Sequence, residues 1–267
     1  MNAQTKEQVF AVDGDTLAYR TAAVCETHFE GAGFAIINST LKEIVTDTQI
    51  TKMRIYLSGK DNFRYKIGKT KPYKGNRATM VRPQFLPHIR DYLVENMNAI
   101  VVDGYEADDA IATDMVVNGA IHCGVDKDML QIAGRHYNYV KKEWREITPD
   151  EATLILYRQI LMGDTSDNIP GLPRVGEKLA FNAIQNPETA EFDAQRFYED
   201  TVRMKMPGVD WREYMTEQEN LVTMVKNVPL DFSKTYELEP NTEGFTSQEG
   251  GLEGLQEQDK PKLAVKL

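Results

Sequence analysis

Four short apolar runs in the first half of the chain are each followed by acidic side chains. The runs are residues 9–12 (VFAV), 54–57 (RIYL), 99–102 (AIVV) and 120–125 (AIHCGV). Apolar residues at helical spacing follow the first and third runs, so strands alternate with helices. This alternation predicts an α/β fold with a mostly parallel central sheet flanked by helices. Because ligands of such sheets bind outside the carboxyl ends of the strands, we expect the acids to converge there.

The chain beyond Tyr139 is predicted to be mainly helical. Residues 148–151 (TPDE) form a capping box with proline at the first helical position. They predict a helix that continues to Met162 and ends at Gly163. From about Pro240 onward Gly, Gln and Glu dominate, which is typical of an acidic, weakly ordered tail.

The composition is that of an ordinary globular protein, with 41% hydrophobic and 27% charged residues in a chain of 267. No apolar run is long enough to cross a bilayer, so we expect no membrane association. The first residues do not resemble a secretory signal, and the expected location is the cytoplasm, that of the host if the protein is viral. Cys25 and Cys123 lack metal-type spacing and are expected to be buried reduced thiols.

A basic stretch interrupts a chain whose formal net charge is -10. Eleven Lys or Arg residues lie between Lys52 and Arg90, against one acid, Asp61. Tyr65 and Tyr73 alternate with the cations and offer rings for base stacking. The stretch therefore predicts a phosphate-binding surface rather than merely a solvated charged face.

The acidic residues form four separate clusters at predicted strand ends or helix starts. They are Asp13 with Asp15, Glu106 with Asp108 and Asp109, Asp126 with Asp128, and Asp164 with Asp167. Carboxylates crowded in this way take up protons or bind cations, and hard oxygen ligands suit Mg²⁺ or Mn²⁺. Two ions about 4 Å apart would clamp a phosphodiester and activate a water, so phosphate-ester hydrolysis is the expected chemistry.

Each acidic cluster also has a simpler interpretation, since Asp-x-Asp pairs are common in turns and helix caps. We expect Asp114 to be a solvated helix residue. Asp15 remains open, because it follows Asp13 by two positions and would equally serve as a cap of the next helix.

The segment after Met162 favours binding of a nucleic-acid backbone. Gly171 and Gly176 permit a tight turn that exposes backbone N–H groups ahead of a helix, and Arg174 and Lys178 add positive charge. Such a site holds phosphates without reading base sequence. The alternative is a Gly-Pro surface loop between two helices.

Five strings follow one another in the chain: VDGDTLAYR, PYKGNR, GYEADDAIA, GVDKDMLQI and LMGDTSDNIPGLPRVGEKLA. In this order they resemble motifs of the 5′-3′ exonucleases and flap endonucleases of bacteriophages and bacterial polymerases, and the resemblance covers most of residues 8 to 230. It implies the following metal ligands: Asp13, Glu106, Asp108, Asp109, Asp126, Asp128, Asp164 and Asp167. It further implies that Arg20 contacts the scissile region, Lys74 polarises the substrate and Tyr73 stacks on it. The DNA contacts that we expect are Tyr73, Arg77, Arg174, Lys178, Gly171 and Gly176.

The resemblance also implies a domain organisation. We expect a PIN-like metal-binding nuclease domain over residues 1–147 with a helical arch at about 60–90. A helical subdomain with a helix-three-turn-helix motif follows over residues 148–232, and the acidic tail over residues 233–267. Two Mg²⁺ or Mn²⁺ ions are expected in the nuclease site, with K⁺ or Na⁺ in the helix-three-turn-helix motif.

The expected partner is DNA with 5′ ends, flaps or duplex–single-strand junctions. RNA primers and replication proteins are further candidates, and we expect a monomer. The motifs do not separate RNA from DNA, or exonuclease from endonuclease action.

The sequence departs from the family pattern after the second predicted strand. An aspartate usually stands there, whereas this chain has Ser58, and either Asp61 or Asp15 joins the metal site or that ligand is absent. Leu179 stands where some relatives have a second cation.

Two other classes of protein remain as alternatives. Haloacid-type phosphatases also begin with a strand and Asp-x-Asp, but Gly and Thr follow there, whereas Thr16 and Leu17 follow here. A non-catalytic DNA-binding scaffold that keeps the fold but has lost metal is the more serious alternative, because of Ser58. The near-complete set of remaining acids favours the enzyme.

Overall fold

A seven-stranded sheet organises the first part of the chain. The computed structural model describes residues 7–26 and 30–239. The strands are β1 (Val9–Asp13), β2 (Lys52–Ser58), β3 (Ile100–Val102), β4 (Ile121–Cys123), β5 (Gly134–Asn138), β6 (Glu143–Ile147) and β7 (Tyr236–Glu237). Their order is β3-β2-β1-β4-β5-β6, with β7 paired to β2. The five strands β1 to β5 run parallel, while β6 and β7 are antiparallel to their neighbours.

Helices cover both faces of this sheet because successive residues of a strand point to opposite sides. The helices of this part are α1 (Gly14–Cys25), α2 (Glu30–Thr48), α3 (Arg64–Ile67), α4 (Leu86–Met97) and α5 (Ala107–Asn118). Phe10 and Val12 pack against α1, α2 and α4, whereas Ala11 between them packs against α5. The predicted α/β architecture with a mostly parallel sheet is therefore confirmed.

A second core unites the helices that follow. They are α6 (Pro149–Met162), α7 (Glu177–Ala183), α8 (Ala190–Lys205) and α9 (Trp211–Val222). Residues such as Leu161, Tyr198 and Leu221 are buried in this core. The predicted capping box is confirmed, since the Thr148 hydroxyl accepts a hydrogen bond from the Glu151 amide at 3.2 Å. The helix ends at Gly163, as predicted.

The structure differs from the predicted tail, and the segment predicted as a helical arch is only partly helical. Tyr236 and Glu237 lie in the segment predicted as a weakly ordered tail, yet they pair with β2. Residues 240–267 of the predicted tail lie outside the described residues. The predicted arch contains α3 and a 3₁₀ turn at Gly75–Arg77, and between them the backbone is irregular.

Two further expectations concern cysteines and membranes. Cys25 and Cys123 are buried free thiols, as predicted. Among the described residues, no helix is both long enough and apolar enough to span a bilayer.

Asp114 is a correction to the sequence prediction. Its side chain is completely buried rather than solvated. Arg54 donates to both of its oxygens, from Nε at 2.7 Å and from Nη2 at 2.8 Å, and the Tyr56 hydroxyl donates at 2.8 Å. The carboxylate therefore neutralises an arginine that β2 carries into the core between β2 and α5.

We predict that Asp114→Ala destabilises the protein by about 3–5 kcal/mol, because it leaves the buried Arg54 guanidinium without a counter-charge. Denaturant unfolding followed by circular dichroism measures the loss. The control is Asp91→Ala, at an exposed position of α4, which should change stability by less than about 0.5 kcal/mol. Equal effects of the two substitutions would contradict the assigned role of Asp114.

Candidate metal and nucleic-acid site

Asp13 occupies the carboxyl end of β1 and begins the candidate site. Its side chain is buried and accepts a hydrogen bond from the Thr16 amide at 2.9 Å, so it also caps α1. Burial, together with the nearby charges of Asp15 and Asp126, raises the pKa of Asp13 to about 6, although the Thr16 hydrogen bonds act against the rise. A carboxylate at this position is destabilised when it is charged.

Four more aspartates continue the site from the start of α5, from the loop after β4 and from the loop after α6. We call Asp13, Asp108, Asp126, Asp128 and Asp164 the five-aspartate cluster. Burial and the charges of Asp13 and Asp126 raise the pKa of Asp108 well above its usual value. The sequence prediction that these distant segments meet is supported by this mutual repulsion.

Asp128 and Asp164 of the cluster are joined by a hydrogen bond. Burial and the charges of Asp126 and Asp164 raise the pKa of Asp128 to about 8. Burial also acts on Asp164, but hydrogen bonds from Ser166 and Asp128 outweigh it and lower the pKa of Asp164. A protonated Asp128 that donates to a charged Asp164 explains both directions.

The chemistry of these donors fits a hard divalent cation. Only Asp13 is fully buried, and the other four keep part of their surface exposed, so a ligand has access. Within residues 7–26 and 30–239, however, no group of three or more His, Cys, Asp or Glu side chains already has a geometry that could hold a metal ion. The donor types and their charge therefore match Mg²⁺ or Mn²⁺, while side-chain adjustment on binding is required.

Glu106 and Asp167, also predicted as metal ligands, are neutralised by protein cations. Lys74 binds Glu106 through a short hydrogen bond, and its Nζ lies 3.6 Å from Asp167 Oδ2. Arg77 Nη2 lies 2.6 Å from Asp167 Oδ1. Lys74 and Arg77 are thereby placed beside the five-aspartate cluster but are paired with carboxylates outside it.

Tyr73 is a correction to the predicted role in base stacking. Its side chain is buried, with 4% of its surface exposed, so no ring face is offered to a base. Its hydroxyl lies 2.7 Å from Glu106 Oε2 and 2.7 Å from Asp167 Oδ2. Tyr73 therefore links two acids and fixes the backbone next to Lys74.

Asp109 was predicted to be a metal ligand, but the structure gives it another role. It is completely buried, and Arg64 donates to its two oxygens at 2.6 and 2.8 Å. The amides of Glu106 and Val225 donate to the same oxygens at 3.1 and 2.8 Å. These four hydrogen bonds occupy the carboxylate, which makes Asp109 a structural partner of Arg64.

The position of the missing strand-end acid is taken by a capping serine. Ser58 Oγ accepts a hydrogen bond from the Ala107 amide at 2.9 Å, at the start of α5. Asp15 accepts from the Ser58 amide at 2.9 Å and pairs with Arg90. Asp61 is exposed. Asp15 is therefore paired with an arginine and Asp61 lies at the surface. Neither replaces the unpaired aspartate that the family has after its second strand.

Gly171 is a further correction, since its amide is not available to a phosphate. The amide donates to Gln218 Oε1 at 3.1 Å, and its carbonyl accepts from the Tyr214 hydroxyl at 2.6 Å. Its φ is +57°, and a Cβ there would lie 2.2 Å from the Met162 carbonyl carbon. Glycine is required because the chain crosses the end of α6 at this point.

The other predicted DNA contacts remain predictions. Arg174, Lys178 and Gly176 are exposed. Arg20 is half-exposed.

Two residues beside the site were missed by the sequence analysis. Arg64 was counted as part of the basic surface, yet it is buried and holds Asp109. Tyr139, which follows β5, has a buried hydroxyl with no hydrogen-bond partner among the described residues. Burial and then the charge of Asp13 raise the pKa of Tyr139, while Arg20 acts against the rise. No sequence pattern identified either residue, because the groups that affect them lie far away in the chain.

Comparison with known proteins supports the same family as the motifs. Residues 8–156 match the family model described as 5′-3′ exonuclease, N-terminal resolvase-like domain. The chain is 28% identical over 266 aligned positions to DNA polymerase I of Bacillus subtilis, which covers 85% of this chain and 29% of that protein. It is 29% identical over 203 positions to a 5′-3′ exonuclease of Buchnera aphidicola, which covers 66% of this chain and 69% of that protein. The chain spans less than a third of the length of the DNA polymerases I that it matches.

A solved structure shows the same fold. The flap endonuclease of bacteriophage T5, crystallised with DNA and metal ions, has a TM-score of 0.53 and 16% sequence identity to this chain. The similarity covers 80% of this chain and 86% of that one. It confirms the predicted PIN-like arrangement of the sheet and helices.

We predict that the metal-free protein loses stability as the pH rises above about 6.5. The folded-state pKa of Asp128 is about 8, against about 3.9 in an unfolded chain. Its stabilising contribution is therefore complete below pH 4 and is lost as the pH rises through 8. His122 and His136, whose pKa values are lowered by burial, act in the opposite sense but only below about pH 6.5.

Thermal melts between about pH 6.5 and 9, with and without Mg²⁺, test this prediction. The melting temperature should fall with pH in chelator, and Mg²⁺ should abolish the fall because the ion replaces the proton. Asp128→Asn should reduce both effects, whereas Asp91→Asn should leave them unchanged. A flat profile in chelator would contradict the assigned repulsion.

Proposed function

The chain belongs to the 5′-3′ exonuclease family, and we propose that it is a divalent-metal-dependent nuclease that hydrolyses DNA phosphodiesters at 5′ ends or flaps. The observation that carries this proposal is the five-aspartate cluster beside the carboxyl ends of the strands. Burial and neighbouring carboxylates of the cluster raise the pKa values of Asp13, Asp108 and Asp128. The negative charge of the cluster is stable only with nearby cations, and the described Lys and Arg side chains compensate it only in part.

The metal ions would be two Mg²⁺ or Mn²⁺ held by the five-aspartate cluster. When bound, such ions lower the pKa of a water and stabilise the charge of the leaving oxygen. Glu106 and Asp167 would act one layer further out, since their oxygens bind Tyr73, Lys74 and Arg77. We further propose that a K⁺ or Na⁺ ion binds in the helix-three-turn-helix motif, in the loop after α6.

Lys74 is the side chain that we assign to the scissile phosphate. Its ammonium group lies among Glu106 and Asp167, and burial, which lowers its pKa, is outweighed by these two carboxylates, which raise it. Lys74 therefore stays protonated at neutral pH. A fixed cation next to the cluster would stabilise the negative charge that develops on a phosphate during hydrolysis.

The DNA would lie along the basic segment at residues 60–90 and along the loop before α7. Exposed cations of this surface include Lys66, Lys69, Lys71 and Arg82. Arg20, Arg77, Arg174 and Lys178 would contact the backbone, with Gly176 allowing close approach. Such contacts favour a substrate by its shape and its 5′ end rather than by its sequence.

The biological setting that we propose is replication or repair in the cytoplasm. RNA primers annealed to DNA would be a further substrate, and replication proteins would be further partners. A substrate panel of duplex, gapped, flapped and RNA-primed DNA distinguishes these possibilities.

We predict that Asp108→Asn abolishes cleavage of 5′-flapped DNA in Mg²⁺ or Mn²⁺. The rate should fall by more than the roughly 100-fold that loss of an outer-shell metal partner costs. DNA binding in chelator should be kept or strengthened, because a negative charge near the phosphates is removed. The wild-type protein should release 5′-phosphorylated products and should be inactive in chelator.

The control for this experiment is Asp91→Asn, which should cut like the wild type. Failure of the wild-type protein to cut any substrate of the panel with either metal, while still binding DNA, would favour a non-catalytic scaffold.

We predict that Lys74→Ala lowers the single-turnover rate at saturating DNA by about 100-fold, as loss of one charge-stabilising donor does in other enzymes. The dissociation constant for DNA in chelator should change by only a few-fold, because one phosphate contact contributes little to binding. Lys141→Ala, at an exposed position outside the proposed DNA surface, is the control. A loss of affinity without a loss of rate would make Lys74 a phosphate anchor instead.

A further inference from the structure

The segment that presents Lys74 has little structure of its own. Between α3 and the 3₁₀ turn at Gly75–Arg77 the backbone is irregular, and residues 69–72 are exposed. Exposed irregular segments are usually mobile. A side chain that must meet a phosphate at a fixed distance therefore needs an external support for this backbone.

One carboxylate of the helical subdomain supplies such a support. Glu217 of α9 accepts hydrogen bonds from the amides of Lys69 and Thr70, each at 2.7 Å, through Oε1. Its Oε2 accepts from the Thr70 hydroxyl, also at 2.7 Å. Hydrogen bonds to a charged acceptor are about twice as strong as neutral ones. Three of them on two consecutive residues fix the backbone there.

The residues between Glu217's hydrogen bonds and Lys74 are few and tightly folded. A Cβ at Gly68 would lie 2.9 Å from the Lys71 carbonyl oxygen and 3.1 Å from the Tyr73 amide, so the backbone folds back on itself between these residues. At the far end, the Lys74 amide donates to the Asp167 carbonyl at 2.8 Å, and Asn168 Nδ2 donates to the Pro72 carbonyl at 2.8 Å. The segment is thus held at both ends by the helical subdomain.

The backbone of Lys74 shows why both ends must be held. Its φ is +52°, in the left-handed region that residues other than glycine rarely adopt. Such a conformation persists only where the surrounding structure imposes it. If the Glu217 end were released, the preceding residues would be free to relax and Lys74 would lose its fixed direction.

We propose that Glu217 is a positioning residue, which orders residues 68–74 before DNA binds and so fixes Lys74 beside the five-aspartate cluster. The inference rests on the proposed nuclease function for its catalytic consequence, but the ordering itself does not depend on activity. Glu217 is half-buried, and its three hydrogen bonds to Lys69 and Thr70 lie at the surface rather than in the core.

The test compares Glu217→Ala, Glu217→Gln and a matched control, Glu213→Ala. Glu213 is exposed on the same helix one turn earlier, and no described residue donates a hydrogen bond to its carboxylate. The measurements are amide hydrogen exchange of residues 68–74 in DNA-free protein, the single-turnover rate at saturating flapped DNA, DNA affinity in chelator, and the melting temperature.

Glu217→Ala should speed exchange at residues 68–74 and lower the single-turnover rate by about tenfold or more, as small misplacements of catalytic groups do. The affinity and the melting temperature should stay close to those of the wild type. Glu217→Gln keeps an oxygen for the two amides and should restore most of the rate. Glu213→Ala should match the wild type in all four measurements.

Three outcomes would overturn the proposal. Unchanged exchange and rate in Glu217→Ala would show that the segment is ordered without Glu217. Parallel loss of rate and melting temperature, without rescue by Gln, would show a structural role only. Tighter DNA binding at an unchanged rate would show that Glu217 blocks a phosphate site.

Failure of the proposed function gives a different result. If the wild-type protein cuts no substrate, the catalytic role of Glu217 is lost with the function. The exchange measurement still decides whether Glu217 orders the segment.

Discussion

Repulsion among the five-aspartate cluster is the constraint on which the rest of the site depends. Asp13, Asp108 and Asp128 have raised pKa values because burial and neighbouring carboxylates both oppose their ionisation. A fold keeps such an arrangement only if protons or cations compensate it. The parallel sheet makes it possible, because β1 and β4 end side by side and deliver Asp13 and the Asp126 loop to the same edge.

The cations of the protein compensate other acids and leave this cluster largely alone. Arg64 is committed to Asp109, and Arg54 to Asp114, in buried pairs with two hydrogen bonds each. Lys74 binds Glu106 at the border of the cluster. The acids that are paired with Lys or Arg therefore have structural roles around the site. The five-aspartate cluster, which lacks such pairs, is able to bind a cationic ligand.

Local patterns predicted β1 to β4 and the start of α6, because alternation and capping depend on neighbouring residues. They did not predict β5 or β6, and β6 lies in the part of the chain that was expected to be mainly helical. The same patterns could not separate Asp108 from Asp109. The two adjacent residues point in different directions around α5, and Arg64, which selects Asp109, begins α3 and is distant from it in the sequence. Tyr73 and Asp114 were misassigned for the same reason, since their partners are distant in sequence. The strand β7 at Tyr236 was missed because two residues are too short to show a strand pattern, and only its pairing with β2 makes it a strand.

The division of labour between the two parts of the chain follows from these contacts. The end of β1, the loop after β4 and the start of α5 supply four of the five carboxylates that need cations. The segment carrying Lys74 is held instead by hydrogen bonds to the loop after α6 and to α9. A lysine attached to the sheet could approach the cluster and neutralise it in place of a metal ion. Because Lys74 is anchored outside the sheet and paired with Glu106, it can stand next to the cluster without filling it. The loop after α6 and helix α9 thus hold the segment of Lys74 next to the acids that would hold metal.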